Sequence, residues 1–326
     1  MNVFTMIVRV VALGLLLAAA GTVIAQQPYP SRPVRYIVPF PPGGSTDPMA
    51  RMVAAKLTER WGQSVIVDNR PGGNTVIGTD ALAKATPDGH TIGWAGPSFF
   101  STPSLIPKLP YDNLRDFVGV TTIARQRSLL VLHPSVPAKN LQEVIALAKS
   151  RPGQLNFGSS GIGTNVHLAG ELFKIMTGTD IQHIPYKGSG PLGTDLIAGR
   201  VEMSFQVPIT VIPHINSGKL RPIAISGDTR LPPLPQVPTF SEAGLPGYGL
   251  TSVNAIIAPA RTPRQVTGRI ASEVAAILAR PDTLAFLARQ GAEPFISTPE
   301  QTSALIKKEV ARYAKIIKDA GIKYQP

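Results

Sequence analysis

Apolar runs of strand length alternate with apolar stripes of helical period along almost the whole chain. No other feature constrains the fold as strongly. Residues 34–40 form a short apolar run, and residues 48–61 then carry Met49, Met52, Val53, Leu57 and Trp61 on one helical face. Further strand-length runs sit at 65–68, 91–95, 117–123, 129–133, 156–158, 181–186, 201–207 and 220–226. Helical patterns fall at 141–150, opened by Asn140 with Glu143 three residues on, and at 166–177. Two longer helices close the chain. Thr262-Pro263 opens one, with Gln265 at the capping-box position and Val266, Ile270, Val274 and Ile277 as its stripe. Thr298-Pro299 opens the other, with Gln301, then Ile306, Val310, Tyr313 and Ile317, and Gly321 as the stop. This alternation predicts an α/β protein of mainly parallel sheets with helices on both faces. At about 150 residues per domain, a chain of 326 residues holds roughly two such units.

Composition narrows the function. Hydrophobic residues make up 43% and charged residues 16%, enough for a sizeable core and unlike a disordered chain. The net charge of +12 raises the question of nucleic acid, but the basic residues are scattered, with no arginine-rich or aromatic-basic block. No nucleic-acid partner is expected. The chain has no cysteine, which removes disulfides, zinc–thiolate sites, iron–sulfur clusters and thiol catalysis together. Residues 1–25 read as a secretory leader. Arg9 precedes an apolar run at 10–20 that is short for a membrane span, and Val23-Ile24-Ala25 fits a cut before Gln26. The mature protein is expected in a periplasm. The Pro-rich stretch 231–238, LPPLPQVP, reads as a stiff surface connection.

Three loop-to-helix junctions carry the binding chemistry. The first leaves a strand through Phe40, Pro41, Pro42, Gly43, Gly44, Ser45 and Thr46, with Asp47 as expected N-cap and Pro48 at the first helical position. The second is Gly158-Ser159-Ser160-Gly161-Ile162-Gly163-Thr164-Asn165. The third is Tyr186-Lys187-Gly188-Ser189-Gly190-Pro191-Leu192-Gly193-Thr194-Asp195. Free N–H groups and the positive end of the dipole at such helix starts favour an anion. The third contains a formal G-x-G-x-x-G, but Pro191 lies inside it and no acidic residue ends a strand about 20 residues on, so no dinucleotide is expected. Catalytic patterns are thin. His167 and Glu171 lie four apart without a third ligand, so no metal is expected. Ser159 or Ser160 with His167 could suggest a hydrolase, but G-x-S-x-G is absent. His133, His183 and His214 read as isolated structural residues. No catalytic residue and no cofactor is assigned.

Taken in order, YPSRPVRYIVPFPPGGSTD, VDNRPGGNTVIGTDALAKATPDGHTI, LPYDNLRDF, FGSSGIGTNVHLAGELFK, IPYKGSGPLGTDLIAGRVEMSF, HINSGKLRPIAISGDTRLPPLPQVPTFSEAGLPGY and GAEPFISTPEQTSALIKKEVARYAKIIKDAGIK form a specific set. With these segments the chain resembles the Bug family of periplasmic solute receptors, the extracytoplasmic component of tripartite tricarboxylate transporters. The resemblance implies a two-lobed periplasmic-binding-protein clamp, type II-like, in which each lobe is a mainly parallel sheet flanked by helices. Lobe 1 would hold 26–123 plus 252–326, and lobe 2 would hold 124–251. It implies a ligand carboxylate gripped by Phe40, Pro42, Gly43, Gly44, Ser45, Thr46 and Asp47 from one lobe. Ser159, Ser160, Gly161, Thr164, Asn165 and His167 would grip it from the other. Gly96 and Ser98, with Tyr186, Lys187 and Gly188, would line the rest, and Asp195 would lie near the far end. The implied partners are a small organic carboxylate and membrane transporter subunits, with the receptor a monomer. Dicarboxylates, tricarboxylates, acidic amino acids and aromatic carboxylates all fit. Two departures from the family pattern bear on ligand choice and leave the fold untouched: Gly96-Pro97-Ser98-Phe99-Phe100 after the third strand, and Ser252-Val253-Asn254 where many relatives carry tryptophan. Phe99 and Phe100 could shape the pocket or pack beneath its loop. Two other functions stay open: the same clamp serving a signalling partner as a sensor, and a secreted hydrolase using Ser160 and His167.

Overall fold

The buried run that follows Pro33 becomes the first strand, β1 (Val34–Val38), in which only Arg35 is exposed. A computed structural model describes residues 29–44 and 46–323; the expected leader at 1–25 and Ser45 lie outside the described residues. In chain order β1 is followed by α1 (Asp47–Trp61), β2 (Val65–Asn69), α2 (Val76–Ala83), β3 (Thr91–Ala95), α3 (Pro97–Leu105) and β4 (Phe117–Gln126). Then come β5 (Leu129–Leu132), α4 (Leu141–Ser150), β6 (Asn156–Ser159), α5 (Asn165–Thr177), β7 (Gln182–Pro185) and α6 (Ser189–Ile197). They are followed by β8 (Met203–Gln206), α7 (Pro208–Asn216) and β9 (Arg221–Ile225). The chain closes with β10 (Ser252–Pro259), α8 (Arg264–Leu278), α9 (Pro281–Arg289), β11 (Ala292–Pro294) and α10 (Pro299–Asp319).

The strands make two sheets, ordered β11-β4-β10-β3-β1-β2 and β7-β6-β8-β5-β9. The α/β class holds, with one refinement. Parallel ladders join β1 to β2 and β3, and β6 to β7 and β8. β10 runs against both β3 and β4, and β5 runs against both β8 and β9. Each sheet therefore keeps most strands in one direction around a reversed interior strand, and in the first sheet the edge strand β11 is reversed as well. The chain passes from the first sheet to the second between β4 and β5, and returns between β9 and β10. The outgoing and returning strands lie side by side where they leave and re-enter the first sheet, with Gln126 of β4 opposite Ser252 of β10. Beyond them the Ser226 N–H donates to the Ser128 carbonyl at 2.8 Å and the Ser128 N–H to the Ser226 hydroxyl at 2.8 Å, extending the β5–β9 ladder. Arg127 donates to the Thr229 hydroxyl at 2.9 Å and pairs with Glu293 of β11, tying the β4–β5 crossing and the segment after β9 to the edge of the first sheet.

One apolar core runs through both sheets, from Phe99, Phe100 and Tyr313 to Phe157, Phe173, Phe205 and Tyr248. A second lies on the other face of the second sheet, where Leu129 and Val131 of β5 meet Leu192, Leu196 and Val211. Alternation along β5 explains the split, since Leu130 and Leu132 belong to the first core. The expected α1 stripe is turned slightly: Met49, Val53 and Leu57 are buried, and Met52 and Trp61 only half-buried. Thr298 and Gln301 form the expected capping box. Thr262 does not cap α8, whose N-cap is Pro263 without a side-chain bond. The stretch 231–238 is more than a surface connection, because Leu231, Leu234 and Val237 anchor it in the second core.

Candidate functional site

At the C-terminal end of β1 the chain turns through Pro39–Thr46 into α1, and the turn is pinned from behind. The Asp47 carboxylate accepts from the Gly43 N–H at 3.2 Å, from Arg51 at 2.8 Å and from Asn69 at 3.0 Å. Asn69 also donates to the Phe40 carbonyl at 3.0 Å. Burial works to raise the Asp47 pKa, but the bonds from Arg51, Gly43 and Asn69 outweigh it and hold the carboxyl below its ordinary value. Asp47 is thus the first helical residue rather than the N-cap, which is Thr46. Through these bonds it supports the loop, and it is not among the residues that line the cleft beside it. Gly43 takes φ +78°, a conformation that favours glycine.

The β6–α5 turn is built on a different support. The Ser159 hydroxyl and the His183 Nε2 are 2.6 Å apart, and the Gly163 N–H donates to the His167 Nδ1 at 3.0 Å. The two imidazoles stack with ring centroids 3.9 Å apart. Burial, then the neighbouring His183 and Lys174, lower the His167 pKa to about 2; burial, then Lys174, lower that of His183 to about 4. Both rings are neutral hydrogen-bonding supports. Thr164 caps α5, accepting from the His167 N–H at 3.4 Å, and its hydroxyl donates to the Gly161 carbonyl at 2.7 Å. The third turn is tied to the second by the Gly188 N–H, which donates to the Ser160 carbonyl at 3.2 Å.

These turns border a cleft of about 380 Å³. Of the residues expected there, Phe40, Pro42, Gly43, Gly44, Thr46, Ser98, Ser160, Thr164, Asn165, Lys187 and Gly188 line it. Seven described candidates are not part of the lining: Asp47, Gly96, Ser159, Gly161, His167, Tyr186 and Asp195. Asp195 is engaged elsewhere, accepting from Arg200 at 2.7 Å and from the Tyr186 hydroxyl at 2.9 Å. Burial and then Asp195 push the Tyr186 pKa up to about 12, and Arg200 and then Tyr186 hold the Asp195 carboxyl low. Phe99 and Phe100 pack in the core against Phe117 and Tyr313 and take no part in the lining. No hydrogen bond joins Ser160 to His167; the serine that meets a histidine is the buried Ser159, through His183. His183 is therefore not the isolated residue that the sequence suggests. Among the described residues, no three His, Asp or Glu side chains are grouped to hold a metal.

Pro97, Ser252 and Asn254, from the two stretches that depart from the family pattern, line the cleft from the side of the first sheet. Trp94 and Gln126 on that side, and Gln206, Val207 and Thr210 on the side of the second sheet, join them without having been singled out in the sequence. With them the electrostatics become clear. The starts of five helices border one cleft: Thr46 of α1, Pro97 of α3, Thr164 of α5, Gly188 of α6 and Val207 of α7. Among the described lining residues Lys187 carries the one formal charge. A cleft with positive dipole ends, one ammonium and no lining carboxylate suits an anion.

Two α/β sheets joined by paired crossings, with a cleft bordered by helix starts, define a two-lobed periplasmic binding protein. The chain belongs to the tripartite tricarboxylate transporter family receptors, TctC, which it matches over residues 49–322. Protein BugT of Bordetella pertussis is 39% identical over 95% of this chain and 97% of its own. The solved structure of R. palustris Rpa4515 with adipate is 38% identical, with a TM-score of 0.85 over 90% of this chain and 99% of that one. MatC from Rhodopseudomonas palustris with bound malate is 28% identical, with a TM-score of 0.79 over 89% and 100%. The family and its solved members are periplasmic solute-binding proteins.

Proposed function

We propose that this receptor is exported with removal of residues 1–25, takes a small organic carboxylate between its lobes and delivers it to a membrane transporter. The observation that carries the reading is the convergence of five helix starts and Lys187 on a cleft whose described lining has no acidic side chain. Relatives solved with adipate and with malate support a carboxylate. Lobe 1 would hold 26–123 plus 252–326, and lobe 2 would hold 124–251, so that the paired crossings near Gln126 and Ser252 act as the hinge. One carboxylate would sit between the Phe40–Thr46 turn and the Ser160–Asn165 turn, receiving backbone N–H groups and hydroxyls. Each such charge-assisted bond is worth about 1.5–3 kcal/mol, and a micromolar ligand needs about −8.2 kcal/mol in all. The remaining volume accommodates the body of a dicarboxylate, tricarboxylate, acidic amino acid or aromatic acid. The receptor would act as a monomer and without cofactor. Calorimetric titration of the mature protein with these acids and their methyl esters tests the reading. At least one acid should bind in the micromolar range or tighter, and its full ester should not bind. An ester that binds as well as its acid would remove the anion clamp.

A further inference from the structure

Four buried polar side chains of the first sheet line one region of the cleft and are left with hydrogen-bonding capacity that the protein does not use. Trp94, Ser98, Gln126 and Asn254 are each at most 5% exposed. The Trp94 indole N–H and the Ser98 hydroxyl have no partner among the described residues. The Asn254 Nδ2 donates to the Gln126 Oε1 at 3.0 Å, which leaves the buried Gln126 Nε2 without a partner. The Asn254 Oδ1 has no partner among the described residues and opens toward the cleft. An ideal Cβ on Gly96 would lie 3.3 Å from both the Trp94 Nε1 and the Asn254 Oδ1, so glycine keeps the space between them open. Gln206 of β8 offers a contrast: its Nε2 donates to the Ser204 hydroxyl at 2.9 Å and its Oε1 accepts from Thr210 at 3.2 Å. On the same side, however, the Asn165 Oδ1 on α5 is also without a partner. Buried polar groups are paired in the great majority of cases, so the orphaned Gln126 Nε2, beside the unpartnered Trp94, Ser98 and Asn254 groups that open to the cleft, marks where a ligand would complete them.

The chemistry of that ligand group follows from the amide pair. Asn254 and Gln126 can both be turned end for end, but each always spends one end on the other. In either arrangement the pair offers one N–H and one amide oxygen. The indole adds an N–H, and the hydroxyl can act in either sense. A group that satisfies this set must accept at least one hydrogen bond and must also donate one to the amide oxygen. A carboxylate only accepts, and would leave that oxygen facing a negative charge.

We propose that Trp94, Ser98, Gln126 and Asn254 form a second subsite that selects carboxylates whose far end bears a neutral group able both to donate and to accept, a hydroxyl or a primary amide. This rests on the carboxylate reading above. The test uses a matched six-carbon series, the length of the adipate bound by the relative: hexanoate, 6-hydroxyhexanoate, adipate monoamide and adipate. The hydroxy acid or the monoamide should bind about 10-fold or more tighter than both hexanoate and adipate, the worth of one or two hydrogen bonds. Trp94→Phe keeps the aromatic body and loses the N–H. In it the advantage of the polar-ended acids over hexanoate, measured as a ratio within the variant, should shrink to about 3-fold or less. Ser98→Ala provides the same comparison with less change in packing. If hexanoate binds and neither polar end adds affinity, or if adipate binds tightest and Trp94→Phe weakens all four alike, the subsite is overturned and the carboxylate clamp stands. If none of these acids, and none of the wider panel, binds, the clamp and the subsite fall together.

Discussion

His167 and His183 cannot take up a proton without placing a cation in a buried stack, which also faces Phe157, Glu171 and Lys174. Unfolded, both would titrate near the usual imidazole value of about 6.5. Folded, His183 titrates at about 4 and His167 at about 2. As pH falls from about 6.5 toward about 4, the unfolded chain therefore binds protons that the folded chain refuses, and stability is lost. Each such group contributes up to about 1.4 kcal/mol per pH unit. Glu171 works the other way, since burial raises its carboxyl and acid then favours the fold. Comparing variants separates the two. Thermal unfolding between pH 7 and 5 should show a falling Tm in the parent, and His183→Gln should flatten the slope. An equal slope in both would show that the imidazole is not what resists acid. At this scale the sequence shows residue types and hides their partners. Ser159 and His167 are conspicuous beside a helix start, but His183 reaches them only because β6 and β7 pair in parallel with Phe157 opposite His183. Asp47 stands where an N-cap is expected, yet it turns back to Gly43, Arg51 and Asn69 because the loop needs a support there.

The second turn is held from both sides of the cleft, and this is a property of elements rather than residues. The Ser101 hydroxyl on α3 donates to the Gly163 carbonyl at 2.9 Å, while the N–H of the same glycine goes to His167. A Cβ on Gly163 would lie 2.3 Å from the Leu105 Cδ1 and 2.8 Å from the Ser101 Oγ, at φ +76°. α3 and the β6–α5 turn are therefore in direct contact, with no room between them. Ser101→Ala removes one neutral hydrogen bond, worth about 0.5–1.5 kcal/mol, or roughly 2- to 12-fold in affinity. If that bond holds the turn in its ligand-gripping shape, the loss should appear as faster dissociation at an unchanged association rate in stopped-flow measurements. Equal affinity in the two proteins would show that the contact has no part in binding. The element that supplies Ser101 was also among the hardest to read. α3 and α7 are nine residues long and carry an internal proline, Pro103 and Pro213, which normally argues against a helix. β10 was hidden because Ser252 and Asn254 face the cleft and interrupt its apolar run. α1, α4, α5 and α10 were legible because caps or long stripes marked them. Two of the five helix starts at the cleft, those of α3 and α7, were thus invisible for the same reason as their helices.

For the molecule as a whole, alternation of strand and helix carries the layered architecture but not the partition into sheets. β10 follows β9 in sequence yet returns to lie between β3 and β4, a pairing that depends on distant residues. That return places Gln126, Ser252 and Asn254 at the crossings and beside the cleft, so a ligand bound there would contact both sheets and the strands that join them. Binding at such a place should stabilise the whole fold rather than one lobe. At a ligand concentration 100 times Kd, the gain is about 2.7 kcal/mol, which a thermal-shift measurement resolves as a rise of several degrees. Gly44→Val separates this gain from intrinsic stability. The ideal Cβ at Gly44 meets only the Pro41 carbonyl, at 3.6 Å, an ordinary contact, so the variant should unfold close to the parent's temperature without ligand. Its branched side chain, however, sits on a turn that lines the cleft, where backbone must come close to the anion. The ligand-dependent rise in Tm should therefore be lost, or require a concentration higher by orders of magnitude. A variant that keeps the parent's full rise at the parent's ligand concentration would show that the Phe40–Thr46 turn does not hold the ligand.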